Sequence, residues 1–172
     1  ILNSLAEDMP ISEFIDNENY IENHYITKSH YYLKKTIMNI SLAEIFSSNN
    51  VIGIVGISPD ETRDSYKVGR YLQKCGYRVI PINPKADTIL GERCYPTLES
   101  CPIQIEIVDI FRRPEFVLPI VNEAVKVKAK VIWMQLGISD QPSHKQAVEH
   151  GLTVVMDKCI AEEHAHLMKS QP

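Results

Sequence analysis

From residue 51 onward, short apolar runs alternate with stretches that have helical spacing. The runs that predict β-strands cover residues 51–55, 77–82, 103–111, 130–136 and 152–156. Helical patterns lie between and after them, at residues 65–75, 114–129, 143–150 and 161–169. Strand and helix in strict alternation require a parallel sheet covered on both faces. Right-handed crossovers then predict an α/β, Rossmann-like, doubly wound fold with a mainly parallel five-stranded sheet.

Local signals mark where several of these elements begin and end. Ser41-Leu42-Ala43-Glu44 is a capping box that opens a short helix before the first strand. Gly76 and Gly151 each follow a helical pattern and are expected to close it. Thr97-Leu98-Glu99 suits a single helical turn. The helix after Pro114 tolerates Pro119 only near its first turn.

The first 37 residues differ in composition from the rest of the chain. All seven glycines lie at or after Gly53, so this stretch contains none. We divide the chain into an N-terminal extension at 1–37 and a Rossmann-like domain at 38–172. The extension is either a docked arm or a disordered segment. Met38 is a candidate natural start.

Charge and cysteine content narrow the classes of protein. The 172 residues carry 18 Lys+Arg against 22 Asp+Glu, a formal net charge of −4. This balance argues against a surface that holds nucleic acid or anionic membrane by bulk charge. No apolar run approaches the ~18–20 residues of a spanning helix. Four cysteines without C-x-x-C spacing indicate reduced thiols in a cytoplasmic protein.

The loop after the first strand has the features of a phosphate-binding loop. It starts Gly56-Ile57-Ser58, so Gly56 holds the first position of the G-x-G-x-x-G fingerprint and Ser58 the second. A helix N-terminus follows, with Ser65 or Asp64 as its expected cap, and helix N-termini favour anions. Arg63 adds a bidentate cation. The alternative is a capped helix with a surface arginine.

The second strand ends in Asn83-Pro84-Lys85, where dinucleotide folds that bind NAD usually carry an acid. An acid there repels a phosphorylated ribose, whereas Lys85 attracts one. This end of the strand therefore favours CoA or NADP over NAD, unless Lys85 is an ordinary solvated lysine.

The third and fourth strands end in further candidate ligand contacts. After the third strand, Phe111 is placed to lie against an adenine, and Arg112 or Arg113 to reach phosphate. At the end of the fourth strand, Gln135 is placed to bond a ligand amide. The alternatives are a core phenylalanine, arginines on the rim and a glutamine that satisfies loop backbone.

Residues for catalysis are scarce. The sequence has no G-x-S-x-G and no H-E-x-x-H motif. Cys159, His164 and His166 have ligand-type chemistry, but their spacing matches no common zinc site. Asp157 is a weak acid–base candidate without an evident partner.

Taken together, five ordered motifs resemble the small stand-alone bacterial CoA-binding proteins, relatives of the CoA-binding domain of the succinyl-CoA synthetase alpha subunit. In chain order, the motifs are Gly56-x-Ser58-Pro59 with the following Arg63-x-Ser65, then Pro81-x-Asn83-Pro84, Gly91-Glu92-x-Cys94-Tyr95, Asp109-Ile110-Phe111-Arg112-Arg113 and Trp133-Met134-Gln135-Leu136-Gly137. The resemblance covers about residues 40–168. It implies a CoA diphosphate over the loop at 56–65, contacted by Ser58, Arg63 and Ser65.

The same resemblance implies the rest of the ligand's path. Asn83, Pro84 and Lys85 border the adenosine 3′-phosphate, while Ile110–Arg112 and Gln135–Gly137 line the adenine and pantetheine. We expect a binding or regulatory module for CoA or an acyl-CoA, without a complete catalytic site. The alternative is a small NADP-dependent oxidoreductase. A protein partner or a homo-oligomer stays open.

Overall fold

A computed structural model describes residues 40–170 of the chain. The N-terminal extension at 1–37 and the candidate start Met38 lie outside the described residues. The helices are α1 (Leu42–Ser48), α2 (Asp64–Lys74), α3 (Val117–Lys126), α4 (Gln141–Glu149) and α5 (Ile160–Ser170). The strands are β1 (Val51–Val55), β2 (Arg78–Ile82), β3 (Thr88–Ile89), β4 (Glu92–Arg93), β5 (Ile107–Ile110), β6 (Val131–Met134) and β7 (Thr153–Val155).

The main sheet has five parallel strands in the order β2-β1-β5-β6-β7. Its central strands β5 and β6 are buried on both sides, as a sheet covered on both faces requires. Helices α1, α2 and α5 pack on one face around Phe46, Leu72 and Trp133. Helices α3 and α4 pack on the other face around Val121 and Ala147. The predicted Rossmann-like fold is confirmed.

Several local predictions are confirmed in detail. The Ser41 side chain accepts a bond from the Glu44 amide, and the Glu44 carboxylate accepts one from the Ser41 amide at 2.8 Å, so the capping box is complete. Gly76 and Gly151 follow helix ends with φ of +93° and +81°. Pro119 lies in the first turn of α3, where its missing N–H has no helical acceptor.

Other predictions were wrong at element ends. The third strand was expected at 103–111, but β5 spans Ile107–Ile110, the residues that are in register with both β1 and β6. The helix expected at 114–129 is a 3₁₀ turn at Pro114–Phe116 followed by α3. The segment 97–99 forms no helix: the Cys101 amide donates to the Leu98 carbonyl at 3.2 Å in a single turn, and the Ser100 hydroxyl donates to the Thr97 carbonyl at 2.8 Å.

Two features had no counterpart in the predictions. A two-residue hairpin, β3–β4, forms a separate small sheet after β2. Tyr95, just beyond it, donates its amide to the carbonyl of Pro81 at 3.0 Å. This contact fixes the hairpin segment beside the exposed edge of β2, which would otherwise present unpaired backbone groups.

Candidate functional site: the carboxyl edge of the sheet

Strands β1 and β5 are neighbours in the sheet, and their last residues, Val55 and Ile110, are register partners. The chain adds β2 on one side of β1 and then adds β5, β6 and β7 in turn on the other side. In open α/β sheets, ligands bind beyond the carboxyl ends of the strands at such a switch point. The loops that follow β1 and β5 therefore form the centre of the candidate site.

Gly56 allows these two loops to touch. Its φ is +88°, in the left-handed region that glycine adopts without strain. A Cβ at this position would lie 2.6 Å from the carbonyl oxygen of Phe111 and 2.7 Å from Cδ of Arg112. Only a residue without a side chain lets the β1–α2 loop pack against the segment after β5.

The β1–α2 loop is shaped by its own short polar side chains. The Ser58 amide donates to Oγ of Ser65 at 3.0 Å, and the Asp60 amide donates to Oγ of Ser58 at 3.1 Å. Asp60 then accepts two bonds from Thr62, its amide at 2.9 Å and its hydroxyl at 2.7 Å. These bonds hold the pKa of Asp60 below its usual range, since they favour the charged carboxylate.

The N-terminus of α2 differs from the prediction. Neither Ser65 nor Asp64 is the cap: the N-cap is Arg63, and no side chain among the described residues makes a capping hydrogen bond to this helix end. Ser65 instead lies inside the first turn, buried, and holds the loop through Ser58. The uncapped helix end keeps backbone N–H groups available for an anion.

A cleft of about 660 Å³ lies between the starts of α2 and α5, and we call it the α2–α5 cleft. It brings together five of the predicted site residues: Phe111, Arg112, Gln135, Leu136 and Gly137. Arg113, the alternative to Arg112 as a phosphate contact, lines it as well. Lining residues without a predicted ligand role are Asp64, Lys67, Val68, Pro114, Ile138, Cys159 and Glu162. Both hydrophobic surface and charges of each sign face this cleft.

A second cleft of about 220 Å³ lies between β2 and the start of α3, and we call it the β2–α3 cleft. It contains the predicted residues Gly56, Asn83, Pro84 and Arg112. Arg112 lines both clefts, and its guanidinium lies 5.2 Å from the ring centre of Phe116. This one arginine therefore stands where the two clefts meet.

Asn83 joins the turns that follow β1 and β2. Its side-chain amide donates to the carbonyl of Ile57 at 2.7 Å, and its oxygen accepts the amide of Lys85 at 2.8 Å. A side chain held at both ends in this way fixes the position of the Lys85 backbone relative to the β1–α2 loop.

The remaining predicted residues do not line either cleft. Ile57 and Ile110 are fully buried core residues, so a ligand reaches only their backbone. Ser58, Arg63, Ser65 and Lys85 lie on or beside the loops at the sheet edge, with Arg63 and Lys85 exposed. Lys67, which the sequence analysis missed, stands one helical turn after Arg63. That i, i+4 spacing was the available signal.

Beneath the α2–α5 cleft lies a buried acid, Asp109, fully shielded from solvent in the middle of β5. Its Oδ1 accepts a hydrogen bond from Nε2 of Gln135 at 2.7 Å. Its Oδ2 is buried and has no hydrogen-bond partner among the described residues. Burial raises the pKa of Asp109 to about 8, only partly opposed by the bonds from Gln135 and the Ile110 amide.

The other polar candidates have structural partners. Asp157 accepts the Gly137 amide at 2.7 Å, which fixes the turn after β6. The Tyr71 hydroxyl lies 2.9 Å from Nδ1 of the buried His164. Burial holds the pKa of that imidazole below its usual range. In residues 40–170, no three His, Cys, Asp or Glu side chains are grouped as a metal site.

The strand order and the two clefts together define a doubly wound, Rossmann-like domain with its candidate ligand site at the switch point of the sheet. Comparison with known families is consistent with this class: the model of the CoA binding domain family matches residues 50–165. The chain belongs to the CoA binding domain family. Its predicted membership is thereby confirmed.

Relatives of known sequence or structure match over most of their length. "Uncharacterized protein YneT" of Bacillus subtilis (strain 168) is 35% identical over 124 residues, covering 72% of this chain and 92% of that protein. A hypothetical protein from Pyrococcus horikoshii OT3 has 37% identity and a TM-score of 0.72, over 78% of this chain and 92% of that one. The Thermus thermophilus structure "cell-free ID.343" has 31% identity and a TM-score of 0.71, over 73% and 96%.

No helix found between residues 40 and 170 has the length and apolar character to cross a bilayer.

Proposed function

We propose that this protein binds CoA or an acyl-CoA across the carboxyl edge of its sheet and acts as a binding or regulatory module without a complete catalytic site. The observation that carries the proposal is the position of Arg112, shared by two clefts at the switch point of a chain in the CoA binding domain family. CoA has two arms joined by a diphosphate, and it therefore suits two neighbouring clefts that share one arginine at their junction.

The diphosphate is assigned to the region of the β1–α2 loop and the uncapped start of α2. Gly56 and Ile57 offer backbone there, Ser58 and Ser65 shape the loop, and Arg63 is exposed at the start of α2 beside it. Helix N–H groups and an arginine both stabilise phosphate oxygens.

The two arms are assigned to the two clefts. Asn83, Pro84 and Lys85 border the 3′-phosphate of the adenosine beside the β2–α3 cleft. Adenine and pantetheine lie along Ile110–Arg112 and Gln135–Gly137, with Ile110 contributing backbone only. The four cysteines are free thiols, which fits a cytoplasmic protein.

Lys85 suits the phosphorylated ribose of NADP as well as that of CoA, but the β1–α2 loop argues against the NADP-dependent oxidoreductase. Ser58 replaces the second fingerprint glycine, which such enzymes need for a close backbone approach to pyrophosphate. NADPH nevertheless serves as the comparison ligand in the test.

Thermal unfolding with added ligand tests the proposal. CoA is expected to raise the Tm, and dephospho-CoA to raise it less, because it lacks the phosphate assigned to Lys85. A Tm that millimolar CoA leaves unmoved and NADPH raises would show that the ligand class is wrong.

A pair of arginine variants tests the placement of the diphosphate. Arg63→Ala is expected to weaken CoA roughly tenfold, since a charge-assisted bond to phosphate is lost. Arg78→Ala is the matched control. Arg78 is also exposed, but it is the first residue of β2 and lies at the amino-terminal ends of the strands, opposite the candidate site. Equal losses in the two variants would refute the placement at the β1–α2 loop.

A further inference from the structure

Asp109 and Gln135 form a buried, hydrogen-bonded polar pair within an otherwise apolar part of the core. Asp109 is the register partner of Ile54 in β1 and Trp133 in β6. Both neighbours belong to the apolar core on the α1–α2–α5 face. Burying an acid in such surroundings costs stability that its one side-chain hydrogen bond offsets only in part, so packing alone does not account for it.

The geometry links this acid to the ligand side of the edge. Side chains two residues apart on a strand point to the same face, so Gln135, following Trp133 by two, stands on the same face as Asp109. Gln135 is 4% exposed and lines the α2–α5 cleft. One N–H of its Nε2 donates to Asp109 at 2.7 Å, which fixes the nitrogen side of the carboxamide toward the acid. The carbonyl oxygen of Gln135 makes no hydrogen bond to the described residues and stays available as an acceptor for a ligand.

We propose that Asp109 is a positioning residue, which fixes the carboxamide of Gln135 so that the α2–α5 cleft presents a hydrogen-bond acceptor to an N–H group of the ligand. This inference rests on the proposed function for the identity of the ligand. CoA carries such N–H groups in two places, the amides of the pantetheine arm and the amino group of adenine. Without the bond to Asp109, the carboxamide of Gln135 could rotate and present either its N–H groups or its oxygen to the ligand.

The other charged groups of the cleft do not perform this task. They lie on α2, after β5 and at the start of α5: Asp64, Lys67, Arg112, Arg113 and Glu162. Among the described residues, Gln135 is the side chain that donates a hydrogen bond to the Asp109 carboxyl group. Gln135 is thus the side chain through which a change at Asp109 reaches the cleft.

The first test uses the protein without ligand. The side-chain amide signals of Gln135, assigned by their loss in Gln135→Leu, are expected to shift with pH about a midpoint near 8, as Asp109 ionises. Those of the exposed Gln141 serve as the control and should not move over that range. Asp109→Asn removes the titration but keeps an acceptor oxygen. Gln135 signals that behave like those of Gln141 would overturn the positioning role.

The second test is a double-mutant cycle on CoA affinity. Gln135→Leu and Asp109→Leu are each expected to weaken CoA about fivefold to tenfold, while Asp109→Asn stays within roughly twofold of the wild type. The double Leu variant should lose no more than the stronger single variant, since Asp109 acts through Gln135. Losses that multiply would show that Asp109 acts independently and would refute the proposal.

Ligand fragments separate the two sources of the N–H group. If the partner is a pantetheine amide, Gln135→Leu weakens pantetheine and leaves 3′,5′-ADP unchanged; if it is adenine, the reverse holds. Either pattern supports the inference, and unchanged binding of both fragments contradicts it. A wild type that binds no CoA refutes the proposed function and the ligand assignment, whereas the amide spectra decide the orientation of Gln135 separately.

Discussion

Replacing Asp109 by Asn should remove a pH dependence from the stability of the domain. Burial raises the pKa of this carboxyl from 3.8 to about 8 in the folded protein. Between these two values the folded state holds a proton that the unfolded state has released. The free energy of unfolding therefore falls as pH rises through this window, by at most about 1.4 kcal/mol per pH unit.

The range from pH 7 to pH 8 isolates this contribution. The lowered carboxyl groups of Glu44, Asp60 and Glu106 are ionised in both states there. His164, with its pKa below 6.5, is neutral in the folded state and mostly neutral in the unfolded one. Because the folded protein itself starts to titrate near pH 8, the expected fall from Asp109 over this unit is about 1 kcal/mol.

Urea unfolding at pH 7.0, 7.5 and 8.0 measures this directly. The wild type should lose about 1 kcal/mol across the series, and Asp109→Asn should stay level, because Asn has no proton to release. The slope of free energy against urea should be the same at each pH, which shows that the unfolded state is unchanged. A level wild type, or an equal fall in the variant, would refute the buried, proton-holding state of Asp109.

Two further substitutions test the centre of the site. Gly56→Ala is expected to destabilise the domain by more than about 2 kcal/mol in urea unfolding, since the left-handed backbone alone costs an alanine roughly 1–2 kcal/mol and its Cβ overlaps the Phe111 carbonyl; a loss below 1 kcal/mol would show that the two loops do not touch as described. Arg112→Ala should weaken CoA by roughly tenfold or more in a titration, because one cation serves both clefts beside Phe116, and no greater loss than in the control Arg78→Ala would contradict that role.

The main sheet could be predicted from the sequence because each strand is a short apolar run bounded by helical patterns. The strand β1 matches its predicted range, since the run Val51–Val55 is fully apolar apart from Gly53 and needs no distant partner to be recognised. The strand predicted at 103–111 is too long, because only Ile107–Ile110 of this apolar run pair with the neighbouring strands. Glu106, just before β5, still donates its amide to the Val51 carbonyl at 3.1 Å, and its side chain accepts the amides of Asn50 and Val51.

The candidate site could be predicted only where residues follow strand ends directly. Phe111, Arg112 and Gln135 come together because the carboxyl ends of parallel strands share one edge. Lys67 could have been found from its i, i+4 spacing to Arg63 on α2. The contribution of Glu162 depends on how α5 is placed over the sheet, which sequence spacing does not encode. The link between Asp109 and Gln135 spans 26 residues and is set by the β5–β6 register.

A calorimetric titration of the wild-type protein with CoA tests the central proposal most directly. We predict saturable binding of one CoA per chain, and an affinity for dephospho-CoA lower by roughly fivefold or more, because the contact between Lys85 and the 3′-phosphate is absent. No saturable heat with CoA at millimolar concentration would contradict the account.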